Sequence, residues 1–369
     1  MNAWQIEQFC APLVLKQTEI PELTSPNQLL IKVKASSVNP LDIVMRTGYG
    51  NTILSTWKQV ESCSTQPVIR LPLIPGRDCS GEIVEVGGNV RDFKVGDEVI
   101  AVIPGHWQGA HAEYVVTNYD CIAPKPKSVS HVESTALPFV ACTSWSALVT
   151  FARVDPRNVS SQKVLIHGGS GGIGSAAIQM LRAWGCEKVV ATCPSDCKAF
   201  IQQLGGVPVD YNSPNAKDEI IEHGPFDVIL DCVDTELSRW SDNVLGVWRN
   251  CVHVSIVSPL LQDTDRYGVF FGVASTLLKS ALRIYEPAIR GRIFSYAFFM
   301  PNSECLHQIS RFIDEGKIKP IVEKVFSFSE LPEAYEKVAK LRGVGKTVID
   351  FSLTKSHQKD TATDNNIVP

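Results

Sequence analysis

The residues of this chain best suited to chemistry lie between Lys163 and Gly185, in the stretch KVLIHGGSGGIGSAAIQMLRAWG. A glycine cluster, Gly168 to Gly174, follows the short apolar run Val164-Leu165-Ile166. Within it Gly169, Gly171 and Gly174 satisfy G-x-G-x-x-G, with Ser170, Gly172 and Ile173 between them. The chain must turn off the strand, approach a pyrophosphate without a Cβ in the way, and pack a helix close to a sheet. Unpaired N–H groups at the start of that helix, and its positive dipole end, then face the phosphates. Ile173, Ala176, Ala177, Met180, Leu181 and Trp184 recur at helical spacing, so strand, turn and helix all stand in the order the pattern needs. The stretch predicts a dinucleotide-binding unit.

The next strand, Lys188 to Thr192, bears on which dinucleotide. A unit that prefers NAD carries Asp or Glu at the end of that strand to bond the ribose 2′-hydroxyl. This chain has Thr192-Cys193-Pro194 there, with no acid before Asp196. Without the carboxylate a 2′-phosphate meets no repulsion, which favours NADPH. The eleven cysteines are odd in number, scattered, and include no Cys-x-x-Cys pair. Cys193 and Cys197 have no further ligands beside them, so free thiols in a reducing compartment are the reading.

The rest of the chain must position this unit. With 369 residues, 44% of them hydrophobic and 20% charged, it has the length for two domains and the composition of a globular protein. The net charge of -4 and the lack of a basic run argue against a nucleic-acid partner. No apolar run is long enough to span a bilayer. The N-terminus shows neither an Arg-rich leader nor a signal-peptide core. Either the protein is cytosolic or a targeting leader is missing from this form of the chain.

From Met1 to about Lys127 short strands dominate, the first expected at Trp4 to Phe9, and a partly closed barrel is predicted. Asn51 to Pro75 is polar and reads as a long loop. A helical region, Val132 to Phe151, precedes the dinucleotide unit. Beyond it strands at Phe226 to Val233 and Val252 to Val257 alternate with helices such as Ala199 to Leu204, which predicts an α/β doubly wound parallel sheet. Helices at Glu304 to Glu315 and Leu331 to Leu341 and strands at Val322 to Phe328 and Thr347 to Phe351 close the chain. Ser352 to Pro369 reads as a disordered tail.

Gly76 to Val99, GRDCSGEIVEVGGNVRDFKVGDEV, together with the glycine cluster, resembles the medium-chain dehydrogenase/reductase superfamily, in its zinc-free quinone oxidoreductase branch. Ser37-Val38-Asn39-Pro40, Arg46-x-Gly48-Tyr49-Gly50, Leu137-Pro138-Phe139-Val140-Ala141, Val257-Ser258-Pro259 with Arg266, Tyr296 to Met300 and Gly345-Lys346-Thr347-Val348-Ile349 are similar to one subfamily. That subfamily is the reticulon-4-interacting protein group, mitochondrial NADPH oxidoreductases linked to ubiquinone biosynthesis. The resemblance runs from Trp4 to Phe351. It implies a GroES-like barrel built from both chain ends, residues 1–127 with 301–351, enclosing a Rossmann domain, 128–300.

The resemblance also implies roles. Ser195, Lys198 and Tyr211 stand where similar enzymes bind the 2′-phosphate of NADPH; Pro194 departs from the hydroxyl residue usual there. Thr143, Ile256, Ala297 and Phe298 would contact the nicotinamide half. Asn39 and Tyr49 match residues lining the substrate side, Tyr49 as a proton or hydrogen-bond donor to a carbonyl oxygen gaining charge. Zinc-dependent relatives carry a Cys ligand and a Gly-His-Glu motif where this chain has Asn39-Pro40-Leu41-Asp42 and Gly76-Arg77-Asp78. His106 and His111 are expected to be ordinary loop histidines, and no metal is expected. A quinone-like acceptor, a reticulon-type or mitochondrial protein partner, a homodimer and a mitochondrial location are implied. A dinucleotide-binding accessory protein with little turnover is the alternative.

Overall fold

The computed structural model describes residues 1–248, 250–340 and 343–353. In chain order its elements begin with β1 (Asn2–Gln5), β2 (Val14–Gln17), β3 (Gln28–Val38), α1 (Pro40–Met45) and α2 (Asn51–Glu61). Four further strands, β4 (Asp78–Val86), β5 (Glu98–Val102), β6 (Tyr114–Asn118) and β7 (Ile122–Pro124), complete the first half. The helices α3 (His131–Ser134) and α4 (Pro138–Trp145) lead to β8 (Lys163–His167), α5 (Gly172–Ala183), β9 (Lys188–Cys193), α6 (Lys198–Gln203) and β10 (Val207–Asp210). Then come α7 (Ala216–His223), β11 (Val228–Asp231), α8 (Glu236–Trp240), β12 (Val252–Ser255), α9 (Leu260–Ile289) and β13 (Ile293–Tyr296). The last four are α10 (Ser303–Asp314), β14 (Val322–Ser327), α11 (Leu331–Ala339) and β15 (Lys346–Asp350).

Two large sheets carry the molecule, beside a small antiparallel pair of β1 and β2. The first runs β14-β15-β3-β4-β5-β7, with β6 also on β3, so the C-terminal strands join the N-terminal ones. The second is parallel, in the order β10-β9-β8-β11-β12-β13. Its strands are continuous apolar runs because helices cover both faces: Val164, Leu165 and Ile166 of β8 are all fully buried. α5 is apolar nearly all round and is buried to match. Ala177, Ile178 and Leu181 pack on the parallel sheet, while Ala176 and Met180 pack toward α4 and α10. Each fully buried Ile, Leu or Met side chain contributes about 1.5–3 kcal/mol.

Several expectations shift. The first strand ends at Gln5, with Ile6 making only an isolated bridge to Leu73, so Phe9 lies outside it. The segment expected to be a long loop is helical over Asn51–Glu61. Its composition is polar because it lies on the surface, and what orders it is a remote partner, α9. That 30-residue helical stretch was not anticipated; it breaks at Gly268, where φ is 75° and ψ is 171°. A Cβ on Gly272 would lie 2.4 Å from Thr264 Cα, so the chain doubles back at the break and the two arms touch. The stretch 131–151 has the length and hydropathy of a membrane span, but 83% of its apolar window is buried in the protein interior. Of the expected tail, residues 354–369 lie outside the described residues, as does Leu341, where the last helix was expected to end; α11 stops at Ala339.

Candidate active site between barrel and parallel sheet

The glycine loop leaves the carboxyl end of β8, and the turn itself is made by Gly168, at φ +82°. Two of the motif's three glycines serve close packing. A Cβ on Gly169 would sit 2.6 Å from Ala191 Cβ of β9, and one on Gly174 would sit 2.3 Å from the Gly168 carbonyl oxygen. Gly168 N–H donates to Thr192 Oγ1 (3.2 Å) and Gly169 N–H to the Thr192 carbonyl (2.9 Å), which ties the loop to β9. Gly171 is the N-cap of α5 and supplies no side-chain acceptor. The first N–H groups of this twelve-residue helix therefore have no side-chain acceptor at the cap. A Cβ on Gly172 would meet only Val140 Cγ1 at 3.2 Å and Lys346 Cδ at 3.6 Å. The uncapped donors and the side-chain-free loop fit the pyrophosphate of a dinucleotide.

The expected 2′-phosphate residues gather at the end of β9. Tyr211 N–H donates to the Cys193 carbonyl (3.2 Å), so Tyr211 sits beside the point where Pro194 and Ser195 leave the sheet. Ser195 is exposed, Lys198 opens α6 and is partly exposed, and Tyr211 is 48% exposed. The Ser170 hydroxyl bonds the Cys197 thiol, which joins this turn to the glycine loop. Cys193 and Cys197 are both buried, and burial pushes the Cys193 thiol up to about 11.

The residues expected at the nicotinamide follow the other strands' carboxyl ends. Ile256 N–H donates to the Asp231 carbonyl (3.0 Å) and Ala297 N–H to the Ser255 carbonyl (2.9 Å). Ala297 is 2% exposed, so its methyl belongs to the core and its backbone is what it offers a ligand. Phe298 lies edge-on to Phe151 at 6.1 Å, and its carbonyl accepts the Ser146 hydroxyl at 2.5 Å. Thr143 donates its hydroxyl to Phe139 O (2.8 Å) and keeps only acceptor capacity. α4 links these groups, since Ser144 Oγ also donates to Ile173 O at 3.0 Å.

On the barrel side, register decides the chemistry. β3 is antiparallel to both β4 and β15, so its end meets their beginnings. Asn39, Asp78 and Lys346 are brought to one rim, each almost fully buried. Asp78 Oδ1 accepts from Ser37 Oγ (2.5 Å) and Asn39 Nδ2 (3.2 Å), and Oδ2 from Phe139 N–H (3.2 Å) across the domain boundary. Lys346 Nζ donates to Asn39 Oδ1 and to Val38 O. Asp42 accepts from the N–H groups of Asn39 (2.8 Å) and Gly76 (2.9 Å) and lies 3.8 Å from Arg77 Nε. Burial raises both carboxyls above the usual range and lowers Lys346 below the ordinary lysine value. Two carboxylates and two cations balance, which is what allows four such groups inside.

This network answers the zinc question from the donors present. The positions matching the ligands of zinc-dependent relatives carry an amide bonded to a carboxylate and an ammonium, a second carboxylate, and a guanidinium 3.8 Å from it that donates to backbone carbonyls. A dication does not fit beside two cations. His106 and His111 lie, as expected, in the loop between β5 and β6, but both are buried, at 7% and 0% exposed. His106 stacks on Trp57 (5.0 Å) and meets Glu61 at 3.0 Å. His111 lies between Ser37 O (3.3 Å) and Tyr335 Oη (3.1 Å), and burial pushes it down to about 3.

Asn39 and Tyr49 differ in availability. The Asn39 amide is spent on Asp78 and Lys346, so it orders the network. Tyr49, four residues beyond α1, is half-buried, and its hydroxyl has no hydrogen-bond partner among the described residues. Burial, and then the charge of Asp265, raise its phenol above the usual 10. Cavities of 630 Å³ at the amino ends of β11–β13 and 850 Å³ outside the barrel hold none of the expected site residues. Lys346 and Asp78 had been overlooked as site residues. The sequence carries little signal for Lys346, which opens the strand KTVID beside a threonine; its burial comes from the fold.

A barrel joined to a six-stranded parallel sheet, with a bare glycine-lined helix start between them, defines a two-domain dinucleotide-dependent dehydrogenase fold. Residues 25–127 match the alcohol dehydrogenase GroES-like domain and residues 206–349 the zinc-binding dehydrogenase family. The chain is 53% identical over 351 residues to Reticulon-4-interacting protein 1, mitochondrial, of Caenorhabditis elegans, covering 95% of each. It is 37% identical over 354 residues to the human NAD(P)H oxidoreductase RTN4IP1, mitochondrial, covering 95% of this chain and 89% of that one. Among solved structures it resembles the quinone oxidoreductase of Coxiella burnetii, with TM-score 0.75, 27% identity, and 95% and 99% coverage. The chain belongs to the medium-chain dehydrogenase/reductase superfamily and, within it, to the reticulon-4-interacting NAD(P)H oxidoreductase family.

Proposed function

We propose that this chain is an NADPH-dependent, zinc-independent oxidoreductase that passes hydride to a quinone or similar conjugated carbonyl. The observation carrying this reading is the bare start of α5, whose Gly172 faces the Lys346 side chain across the domain boundary. The helix N–H groups and the positive end of the helix dipole favour a pyrophosphate. Ser195, Lys198 and Tyr211 bind the 2′-phosphate. Thr143, Ile256, Ala297 and Phe298 line the nicotinamide half.

When bound, the reduced nicotinamide supplies a hydride, that is, two electrons and a proton nucleus. Tyr49 holds a proton at its hydroxyl and donates it, or a hydrogen bond, to the acceptor oxygen as charge develops there. A quinone then leaves as hydroquinone, one hydrogen coming as hydride and one as proton. Asn39, through Asp78 and Lys346, keeps the rim in place and water out. The names of the relatives support a mitochondrial location. A role in ubiquinone biosynthesis is part of the same reading. The apolar outer face of α9, with Leu278 at 63% and Leu282 at 68% exposure, supports a homodimer, which sedimentation equilibrium tests.

Anaerobic NADPH oxidation against a short-chain quinone, with NADH in parallel, is the deciding experiment. Quinone-dependent turnover that prefers NADPH and falls in Tyr49→Phe is expected. Tight NADPH binding with no acceptor consumed would favour the accessory role instead.

A further inference from the structure

The start of α2 has an unusual cap. Its N-cap, Gly50, has φ 74° and no side chain, so the helix cannot satisfy its own first N–H groups. The missing acceptor comes from another domain, more than two hundred residues away. Asp265 on α9 accepts the Gly50 N–H through one carboxylate oxygen and the Thr52 N–H through the other, at 2.9 Å. Leu261, one turn earlier on α9, packs at the same point, 3.4 Å from where a Gly50 Cβ would be. Tyr49 is the residue immediately before this cap.

The arm carrying Asp265 is itself held. Asp263 accepts from Ser275 Oγ (3.1 Å), Thr276 Oγ1 (3.2 Å) and Lys279 Nζ (2.6 Å), all beyond the break at Gly268. The close approach of Gly272 to Thr264 locks the two arms together. Asp265 is thus presented by a braced helical corner rather than by a loose loop.

We propose that Asp265 is a positioning residue for the acceptor side of the site. From the nucleotide-binding domain it holds the start of α2, and so the loop bearing Tyr49, in the barrel domain. The proposal rests on the reading of Tyr49 given above. It makes the acceptor pocket dependent on a contact between domains, while the glycine loop stays independent of that contact.

The test uses the full chain with Asp265→Ala and Asp265→Asn. Asparagine keeps the shape and one acceptor oxygen. Three readouts are needed: backbone hydrogen exchange over residues 50–61, NADPH affinity by fluorescence titration, and kcat/KM for a short-chain quinone. In Asp265→Ala, exchange at the start of α2 should accelerate and kcat/KM for the quinone fall about tenfold or more, as losing a charge-assisted cap implies. NADPH affinity and exchange over 168–174 should hold, with Asp265→Asn intermediate. Unchanged exchange in α2 overturns the latch whatever the activity. Faster exchange with unchanged kcat/KM overturns the positioning role. A loss of NADPH affinity with faster exchange in both domains reveals a merely structural residue and also overturns it. Should the alanine variant fail to fold, the asparagine variant decides by the same readouts. A Tyr49→Phe variant with normal turnover would sink the Tyr49 reading while leaving the exchange result standing.

Discussion

At the residue scale, Gly172 separates charge from size. Its missing Cβ would meet Val140 Cγ1 at 3.2 Å, a contact that a small shift relieves. Gly172→Ala should therefore weaken NADPH binding only a few-fold. Gly172→Asp places a carboxylate against the pyrophosphate site, and calorimetric titration should show affinity falling by about a hundredfold or more. His111 makes a prediction about pH. Its folded-state value of about 3 lies below the unfolded 6.5, so the unfolded chain takes up a proton that the folded one refuses. Its share of stability is present above pH 6.5 and is lost as pH falls toward 3, at about 1.4 kcal/mol per pH unit. Urea midpoints between pH 7 and 5 should fall less steeply in His111→Gln than in the parent.

At the element scale, α9 depends on two glycines for different reasons. Gly268 has φ +75° and ψ 171° but open space around it, so Gly268→Ala costs backbone strain alone, about 1–3 kcal/mol. Gly272→Ala would drive a methyl into the Thr264 backbone at 2.4 Å and should cost about 1–3 kcal/mol or more by opening the corner. Urea denaturation checks both; an unchanged midpoint in Gly272→Ala would mean the arms do not pack as described. The same corner explains why α2 was hidden from sequence reading. A helix whose cap acceptor lies at Asp265 shows no local capping residue, and its polar surface resembles a loop. By contrast β8, α5 and β9 were legible because a buried strand, a glycine turn and a helical apolar stripe each leave a local pattern.

At the scale of the whole molecule, one buried charge network ties the two chain ends together in the barrel and meets the other domain through the Phe139 N–H on Asp78. Lys346→Ala would leave Asp42 and Asp78 facing Arg77 alone, with a net buried negative charge. Removing one partner of such a set costs about 3–5 kcal/mol. Thermal and urea unfolding should show that loss, and adding Asp78→Asn should restore part of it by removing the surplus charge. Additive losses in the double variant would show that the two groups are not coupled.

What the sequence determined by itself was whatever is written locally. The glycine spacing, the apolar strands, the missing acid after β9 and the absence of a zinc-ligand pattern all depend on neighbours along the chain. Only the tertiary structure decided that Asn39, Asp78 and Lys346 share one rim, that His106 and His111 are buried, and that Asp265 caps α2. Those contacts join residues from about forty to over three hundred positions apart. They exist because antiparallel register and domain packing bring strand ends together, and no local periodicity records that.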